Sequence, residues 1–344
     1  MQRVRTAILG ATGAVGQELM AILAERDFPL QELKLLASPR SAGRKFDFQG
    51  EELTVQAVSP EAFEDVDIAF FCAGGSISKE YAKEAMARGT VIIDNTSAFR
   101  LDEDVPLVVP EVNASDITPG TKLVANPNCS TTIMVMALAP LHRFYGIERV
   151  VVSTYQAVSG VGASGMEDLA NQVRAWVADE EIVSKSFPFV AADEHYQMAF
   201  NLVPHIDMFD EMDYTKEEWK MVRETQKILH DPNMRITATT VRVPVMRSHS
   251  ESVNIEFKQE VDLPKVKELL SVFPGVIVQD DPQNLLYPMP LDVAGKDEVC
   301  VGRIRQDNSH SRAINLWVVG DQIRKGAALN AVQIGEYMVK NDLI

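Results

Sequence analysis

Cys129 stands in Asn126-Pro127-Asn128-Cys129-Ser130-Thr131-Thr132, where an extended, proline-broken segment turns into an apolar helical run beginning near Ile133. N–H groups in the first turn of a helix have no partner within it, and the positive end of the peptide dipole favours an anion. A thiol placed there ionises more readily than a free one. Its thiolate adds to carbonyl carbon, and the same N–H groups can hold the oxyanion that results. The spacing suits acyl or aldehyde chemistry; a small buried cysteine at a helix start is the other use of these residues.

Further polar residues fit that chemistry. Gln156 closes a strand-like run and leads into Ser159-Gly160-Val161-Gly162-Ala163-Ser164-Gly165, small enough for a flat ring to approach, though an ordinary strand-to-helix loop has the same composition. Arg242 and His249 bracket Val-Pro-Val-Met-Arg-Ser between two strand-like segments, and a turn near Arg247 to His249 returns the chain toward one cleft. An arginine fork binds a carboxylate, and a histidine of near-neutral pKa exchanges a proton. No CxxC pair, HExxH or acidic calcium loop is present, so no metal is expected. Cys72 and Cys300, in apolar contexts, read as core fillers.

Near the N-terminus a strand candidate, Arg3 to Leu9, runs into Gly10, Gly13 and Gly16, and then into helical spacing through Ala24. Strand, glycine turn and helix make a dinucleotide fingerprint: glycine lets the backbone approach a pyrophosphate, and the helix start faces its charge. The second strand ends in Ala37-Ser38-Pro39-Arg40-Ser41, with a cation and hydroxyls where an NAD site carries a carboxylate. That selects NADP, with Arg40 pairing the 2′-phosphate.

The elements that must position these residues fall into two textures. Strand candidates at Leu33–Ala37, Asp67–Ala73 and Thr90–Asn95, with a helix at Lys79–Arg88, alternate as parallel strands with crossover helices do; apolar runs follow at Leu107–Val112 and Lys122–Ala125. After about Arg149 come longer strand-like segments, Val150–Val158, Ile236–Val245, Ser252–Lys258 and Val299–Arg305, with a helix at Lys216–Leu229. They predict an α+β domain on a large mixed or antiparallel sheet. A last helix, Lys325–Lys340, is expected to return to the first domain. The domain reading is therefore 1–128 completed by 322–344, and 129–321.

A chain of 344 residues, 46% hydrophobic, can build two cores. Its net charge of −16 opposes non-specific binding to nucleic acid or an anionic membrane. Three cysteines are too few for a disulfide framework, and Met1 leads directly into a strand-like segment without a leader-type n- and h-region. A cytoplasmic location is expected.

GATGAVG, ASPRSAG, FFCAGG, DNTSAFR, NPNCSTT, YQAVSG, EEWK, RVPVMRSHSES and KGAALNAVQIGE occur in this order along nearly the whole chain. Together they resemble the aspartate-β-semialdehyde dehydrogenase family of bacterial type. The resemblance implies an α/β, Rossmann-like NADP-binding domain beside a catalytic and dimerisation domain, in a homodimer or homotetramer. It implies that Cys129 is the nucleophile, His249 the acid/base and Gln156 the residue that positions the acyl group. Arg242 would hold the substrate α-carboxylate; Arg100 and Lys220, with Asn128 nearby in the motif, would serve substrate and phosphate, and Glu217 would orient Lys220 three residues away. The cofactor would meet Gly10, Thr12, Gly13, Ala14, Val15, Arg40, Ser41, Ser159, Gly160 and Gln322; at Gln322 the family often has Asn. The implied reaction interconverts aspartyl phosphate and aspartate semialdehyde, with inorganic phosphate and NADPH, through a Cys129 thioester. It belongs to the route toward lysine, methionine, threonine and isoleucine. An N-acetylglutamyl-phosphate reductase or a CoA-acylating reductase is the nearest rival; Arg100, Lys220 and the NPNCST motif argue against it. A non-catalytic NADP-binding protein is the rival from another class.

Overall fold

The structure, a computed structural model, describes residues 2–344. The chain forms two compact units: residues up to Asn128 with Ala327–Ile344, and Cys129–Gly326. The return crossing falls at Gly326/Ala327, where the sequence reading had it at 321/322.

In the first unit, β1 (Val4–Leu9), β2 (Leu30–Ala37), β5 (Gln56–Ala57), β6 (Ile68–Phe71), β7 (Val91–Asp94) and β8 (Leu123–Ala125) form a sheet in the order β5-β2-β1-β6-β7-β8. Every pairing is parallel. Parallel strands are covered on both faces, which is why β6 and β7 are continuous buried runs rather than alternating ones. Ile8, Leu19, Phe28 and Phe70 pack in one layer with Leu329, Val332 and Met338 of the helix Leu329–Lys340. Leu9, Leu36, Phe63, Phe71 and Ala82 fill the other. Each such side chain contributes about 1.5–3 kcal/mol on burial, so the C-terminal helix is part of this unit's core. Between β2 and β5 the hairpin of β3 (Lys45–Phe48) and β4 (Glu51–Thr54) went unread in the sequence. The run Leu107–Val112 is not a strand: Leu107 makes one bridge to Ala125, and Pro110, lacking an N–H, opens the short helix Pro110–Asn113.

In the second unit, β9 (Ile147–Gln156), β10 (Arg235–Arg242), β11 (His249–Phe257), β12 (Val276–Val278), β13 (Val299–Gln306) and β14 (Ala313–Gly320) form a mixed sheet ordered β10-β9-β11-β14-β13-β12. β9 pairs with β10 in parallel and with β11 antiparallel. The helices Cys129–Tyr145, Lys216–Ile228 and Leu263–Ser271 lie on one face. Toward them β9 and β11 present buried residues, while Ser153, Tyr155, Ser252 and Asn254 on the opposite face stay half-exposed. A capping box, Thr215 with Glu218, starts the Lys216 helix. β14 and the helix Ala163–Val177 were not anticipated, and the terminal helix begins later than Lys325 because Arg324–Ala328 winds as a π-helical turn. Among the described residues no helix is long and apolar enough to cross a membrane.

Candidate active site

Strand direction gathers the polar residues of the second unit. Gln156 and Arg242 are register partners that end the parallel strands β9 and β10, and His249 opens β11, which runs the opposite way beside β9. All three therefore emerge at one end of the sheet. β10 stops at Arg242 just before Val243-Pro244, and β11 begins at His249 itself, so the turn ends one residue earlier than the sequence suggested. The helix likewise begins at Cys129, not near Ile133, which puts the thiol in its first turn.

Cys129 Sγ lies 3.4 Å from His249 Nε2. His249 is fully buried, and the backbone N–H of Ala157 donates to its Nδ1 at 3.0 Å. A peptide N–H can only donate, so Nδ1 is the bare acceptor nitrogen and the neutral ring carries its proton on Nε2, facing the sulfur. Burial, and then the neighbouring Arg242 charge, push the His249 pKa down to about 3, with Glu217 opposing. The imidazole is neutral across the physiological range. Gly326 permits close packing behind the thiol: a Cβ there would sit 2.9 Å from Cys129 Cβ.

Gln156 spends both amide protons inside the protein, donating to Glu217 Oε1 at 3.0 Å and to Ser130 Oγ. Its Oε1 is buried with no partner. Arg242 Nη1 donates to the Ala157 carbonyl at 2.8 Å, while its Nε is buried and unpartnered. Desolvation lowers the Arg242 pKa, against the pull of Glu217 and Cys129. Lys220 Nζ bridges Glu217 Oε2 at 3.0 Å and Asp207 Oδ2 at 3.1 Å. One uncompensated donor and one uncompensated acceptor, both buried, mark where a polar ligand completes the hydrogen bonding.

Ser159 and Gly160 form the short turn Val158–Val161 after β9. A Cβ on Gly160 would come 2.6 Å from Arg242 Nη1 and 3.4 Å from His249 Cε1, so only glycine lets this turn lie against both. Gln322 follows β14; its Oε1 accepts from Ser248 N–H at 2.8 Å and its Nε2 donates to Ser159 Oγ.

The remaining sequence-predicted residues lie in the first unit. Gly10 ends β1 at φ +98°, and a Cβ there would strike the backbone of Cys72 and Ala73. Thr12 follows, Gly13 is the N-cap of the helix Ala14–Glu25, and no side chain caps it, which leaves the Ala14 and Val15 end open to an anion. Arg40 and Ser41 form a turn directly after β2, hydrogen-bonded neighbour of β1. Arg40 is exposed and, among the described residues, has no ion-pair partner. These groups share the carboxyl edge of the parallel sheet, where nucleotides bind in such folds. Arg100 is buried and donates to the carbonyls of Asn126 and Asn95, each at 2.9 Å. Asn128, also buried, closes the unit.

Sequence reading missed several supporting residues. Ser130, beside Cys129 in the motif, was legible as a polar neighbour but not as the partner of Gln156. Asp207, which holds Lys220, lies in a stretch with no motif. Asp321 accepts from Arg247 Nε at 2.5 Å, from Gly295 N–H at 2.6 Å and from Ile323 and Arg324 N–H, and nothing in its sequence setting marks it.

Comparison with known proteins agrees with this division. Residues 5–119 match the family model of the semialdehyde dehydrogenase NAD binding domain, and 138–325 that of the semialdehyde dehydrogenase dimerisation domain. An aspartate-semialdehyde dehydrogenase of Aquifex aeolicus is 53% identical over 344 residues, and one of Bacillus subtilis is 51% identical over 342, each match covering 99% of both chains. The crystal structure of aspartate semialdehyde dehydrogenase II from Vibrio cholerae superposes with a TM-score of 0.94 at 45% identity, covering 99% of both chains. The protein is thus an NAD(P)-dependent oxidoreductase acting on an aldehyde. It belongs to the aspartate-semialdehyde dehydrogenase family.

Proposed function

We propose that the protein interconverts L-4-aspartyl phosphate and L-aspartate 4-semialdehyde with NADP, running reductively on the route to lysine, methionine, threonine and isoleucine. The observation that carries this reading is the contact of 3.4 Å between Cys129 Sγ and His249 Nε2, beside an Arg242 Nε–H and a Gln156 Oε1 that lack partners. An α-amino acid aldehyde supplies both complements: its carboxylate accepts from Arg242, and its ammonium donates to Gln156 or Glu217.

In the oxidative direction the Cys129 sulfur bonds to the aldehyde carbon, and the carbonyl electron pair moves to oxygen. The His249 Nε2–H is the donor that holds this oxygen. When bound, the dinucleotide supplies the two-electron acceptor for the hydride lost from that carbon. The carbon is then a thioester on Cys129; a phosphate oxygen attacks it, the C–S bond breaks, and the thiolate returns. Lys220 is the cation of this unit assigned to phosphate, and the family resemblance assigns Arg100 to phosphate as well. Thr12 to Val15, with Gly10, fit the pyrophosphate, and Ser159, Gly160 and Gln322 the nicotinamide end.

NADP over NAD rests on Arg40, exposed just after β2 in a sequence stretch without a carboxylate and, among the described residues, without an ion-pair partner. The half-exposed sheet face around Tyr155 and Trp317 favours a homodimer or homotetramer, and three free thiols fit a reducing cytoplasm.

Purified protein is expected to oxidise aspartate semialdehyde with NADP⁺ only when phosphate or arsenate is present. Equal rates without an oxyanion, or a requirement for CoA, exclude the reading. Cys129→Ser is expected to abolish turnover while NADP still binds. Arg40→Asp is expected to weaken NADP binding far more than NAD binding; an unchanged ratio removes the 2′-phosphate contact.

A further inference from the structure

Gln156 ends β9 and is buried, and its neighbours allow its side-chain amide only one orientation. Glu217, paired with Lys220, is a carboxylate, and its Oε1 lies 3.0 Å from the Gln156 amide. A carboxylate can only accept, so the NH₂ faces Glu217 and the carbonyl faces away from it. The second amide proton goes to Ser130 Oγ. Ser130 is fully buried in the first turn of the helix that Cys129 opens, and a hydroxyl there takes a proton that a methyl group would strand. With both protons spent, Gln156 offers a ligand only its Oε1, a buried acceptor without a partner.

That polarity decides which part of the substrate Gln156 can meet. An aldehyde or acyl oxygen is itself an acceptor, and no proton is left to join it to another carbonyl oxygen; an α-ammonium is a donor and fits. Arg242, the register partner of Gln156 across β9 and β10, shows the opposite pattern, a buried Nε–H without a partner. A lone acceptor beside a lone donor at adjoining strand ends matches the ammonium and carboxylate that an α-amino acid carries on one carbon. Each oxygen of Glu217 already accepts a donor, Gln156 at Oε1 and Lys220 at Oε2, so Gln156 is the less committed acceptor. The acyl oxygen is then left to His249 Nε2–H, which faces Cys129 Sγ at 3.4 Å.

We propose that Ser130 is a positioning residue: with Glu217 it locks the Gln156 carbonyl toward the substrate, so that Gln156 selects for the α-amino group and takes no part in holding the acyl oxygen. This differs from the part the family resemblance implies for Gln156, the positioning of the acyl group. It rests on the proposed reaction, in which Cys129 is acylated by an α-amino aldehyde.

The test compares kcat/KM for aspartate semialdehyde with that for 4-oxobutanoate, the same aldehyde without its α-amino group, in the purified protein with NADP⁺ and phosphate. The unsubstituted protein is expected to prefer the amino aldehyde. Ser130→Ala strands one amide proton and frees the amide to turn; the preference is expected to fall about tenfold, carried by KM for aspartate semialdehyde, as for one lost buried hydrogen bond. Gln156→Leu is expected to lower the preference at least as far, and Ser130→Ala added to Gln156→Leu to lower it no further, because Ser130 acts only through Gln156. An unchanged preference in Ser130→Ala or in Gln156→Leu, a loss shared equally by the two aldehydes, or a further loss in the double variant overturns the inference alone. An unsubstituted protein that does not oxidise aspartate semialdehyde under these conditions overturns the proposed reaction and the inference with it.

Discussion

The Ala157 backbone N–H and the His249 Nδ1 atom are 3.0 Å apart, and that single bond defines which nitrogen of the imidazole can take part in proton transfer. Protonation at Nδ1 would set two N–H groups against each other. With Nε2 already carrying its hydrogen toward Cys129, His249 in the proposed reaction is a neutral donor to thiolate and oxyanion rather than one half of a thiolate–imidazolium pair.

A side chain that keeps a donor at that place should keep part of the rate. His249→Ala is expected to lower kcat about 10²- to 10³-fold, as for the loss of an oxyanion donor, and His249→Gln, whose amide still offers N–H, clearly less. Steady-state rates between pH 5 and 8 should show no inflection belonging to His249, whose pKa is pushed down to about 3. An inflection near 6.5 that disappears in His249→Gln would show that the ring titrates in the working range.

The same depression makes stability depend on pH. Between about 3 and 6.5 the unfolded chain binds a proton at this histidine and the folded protein does not, so stability rises with pH through that window and is lost as pH falls. One proton corresponds to about 1.4 kcal/mol per pH unit. Urea unfolding at pH 4, 5 and 6 is expected to show a shallower acid slope for His249→Gln than for the unsubstituted protein. Parallel slopes would mean that the folded protein protonates His249 as readily as the unfolded chain.

How much was legible follows from how local each signal is. The glycine turn after β1 and the Arg40 turn after β2 are written within a few residues, and they stand where the residue types require; the Thr215 capping box is as local but went unread. Cys129, Gln156, Arg242 and His249 could each be singled out, but their meeting depends on β9 and β10 ending together while β11 starts beside them, a matter of register across distant strands. Ser248–Gln322 and Gln156–Ser130 were illegible for the same reason. β14 was passed over although Ala313–Gly320 is an apolar run, and the Pro110 break in Leu107–Val112 was readable yet unused.

Glu251 is a case that pattern reading hides. It lies two residues beyond His249 on the same face of β11, is fully buried, and neither carboxyl oxygen has a partner; its register neighbour Thr154 has an unpartnered hydroxyl as well. Burial raises its pKa well above the usual carboxylate range, so the folded protein holds it neutral. The folded state then keeps a proton that the unfolded chain releases above about 4.5, and stability falls as pH rises through that window. Glu251→Gln, nearly the shape of the neutral acid, is expected to match the unsubstituted protein near pH 4.5 and to be increasingly more stable toward pH 8. Urea midpoints at the two pH values decide it; a Gln variant that is less stable at pH 8 would show that the carboxylate is ionised and paired.

Gly160 offers a substitution whose cost lies only in contacts. Its backbone is not left-handed, so alanine is allowed there, yet the added Cβ would meet Arg242 Nη1 at 2.6 Å and approach His249. The guanidinium must leave the Ala157 carbonyl, to which it donates at 2.8 Å, and with it the orientation of the unpartnered Nε–H. Gly160→Ala is therefore expected to fold, at a somewhat lower melting temperature because a buried guanidinium loses its carbonyl, and to raise KM for aspartate semialdehyde about tenfold, the equivalent of one charge-assisted hydrogen bond. A smaller analogue without the α-carboxylate should lose much less, because it makes no demand on Arg242. Equal losses for both substrates would place the damage at His249 or in the nucleotide turn instead of at the carboxylate fork.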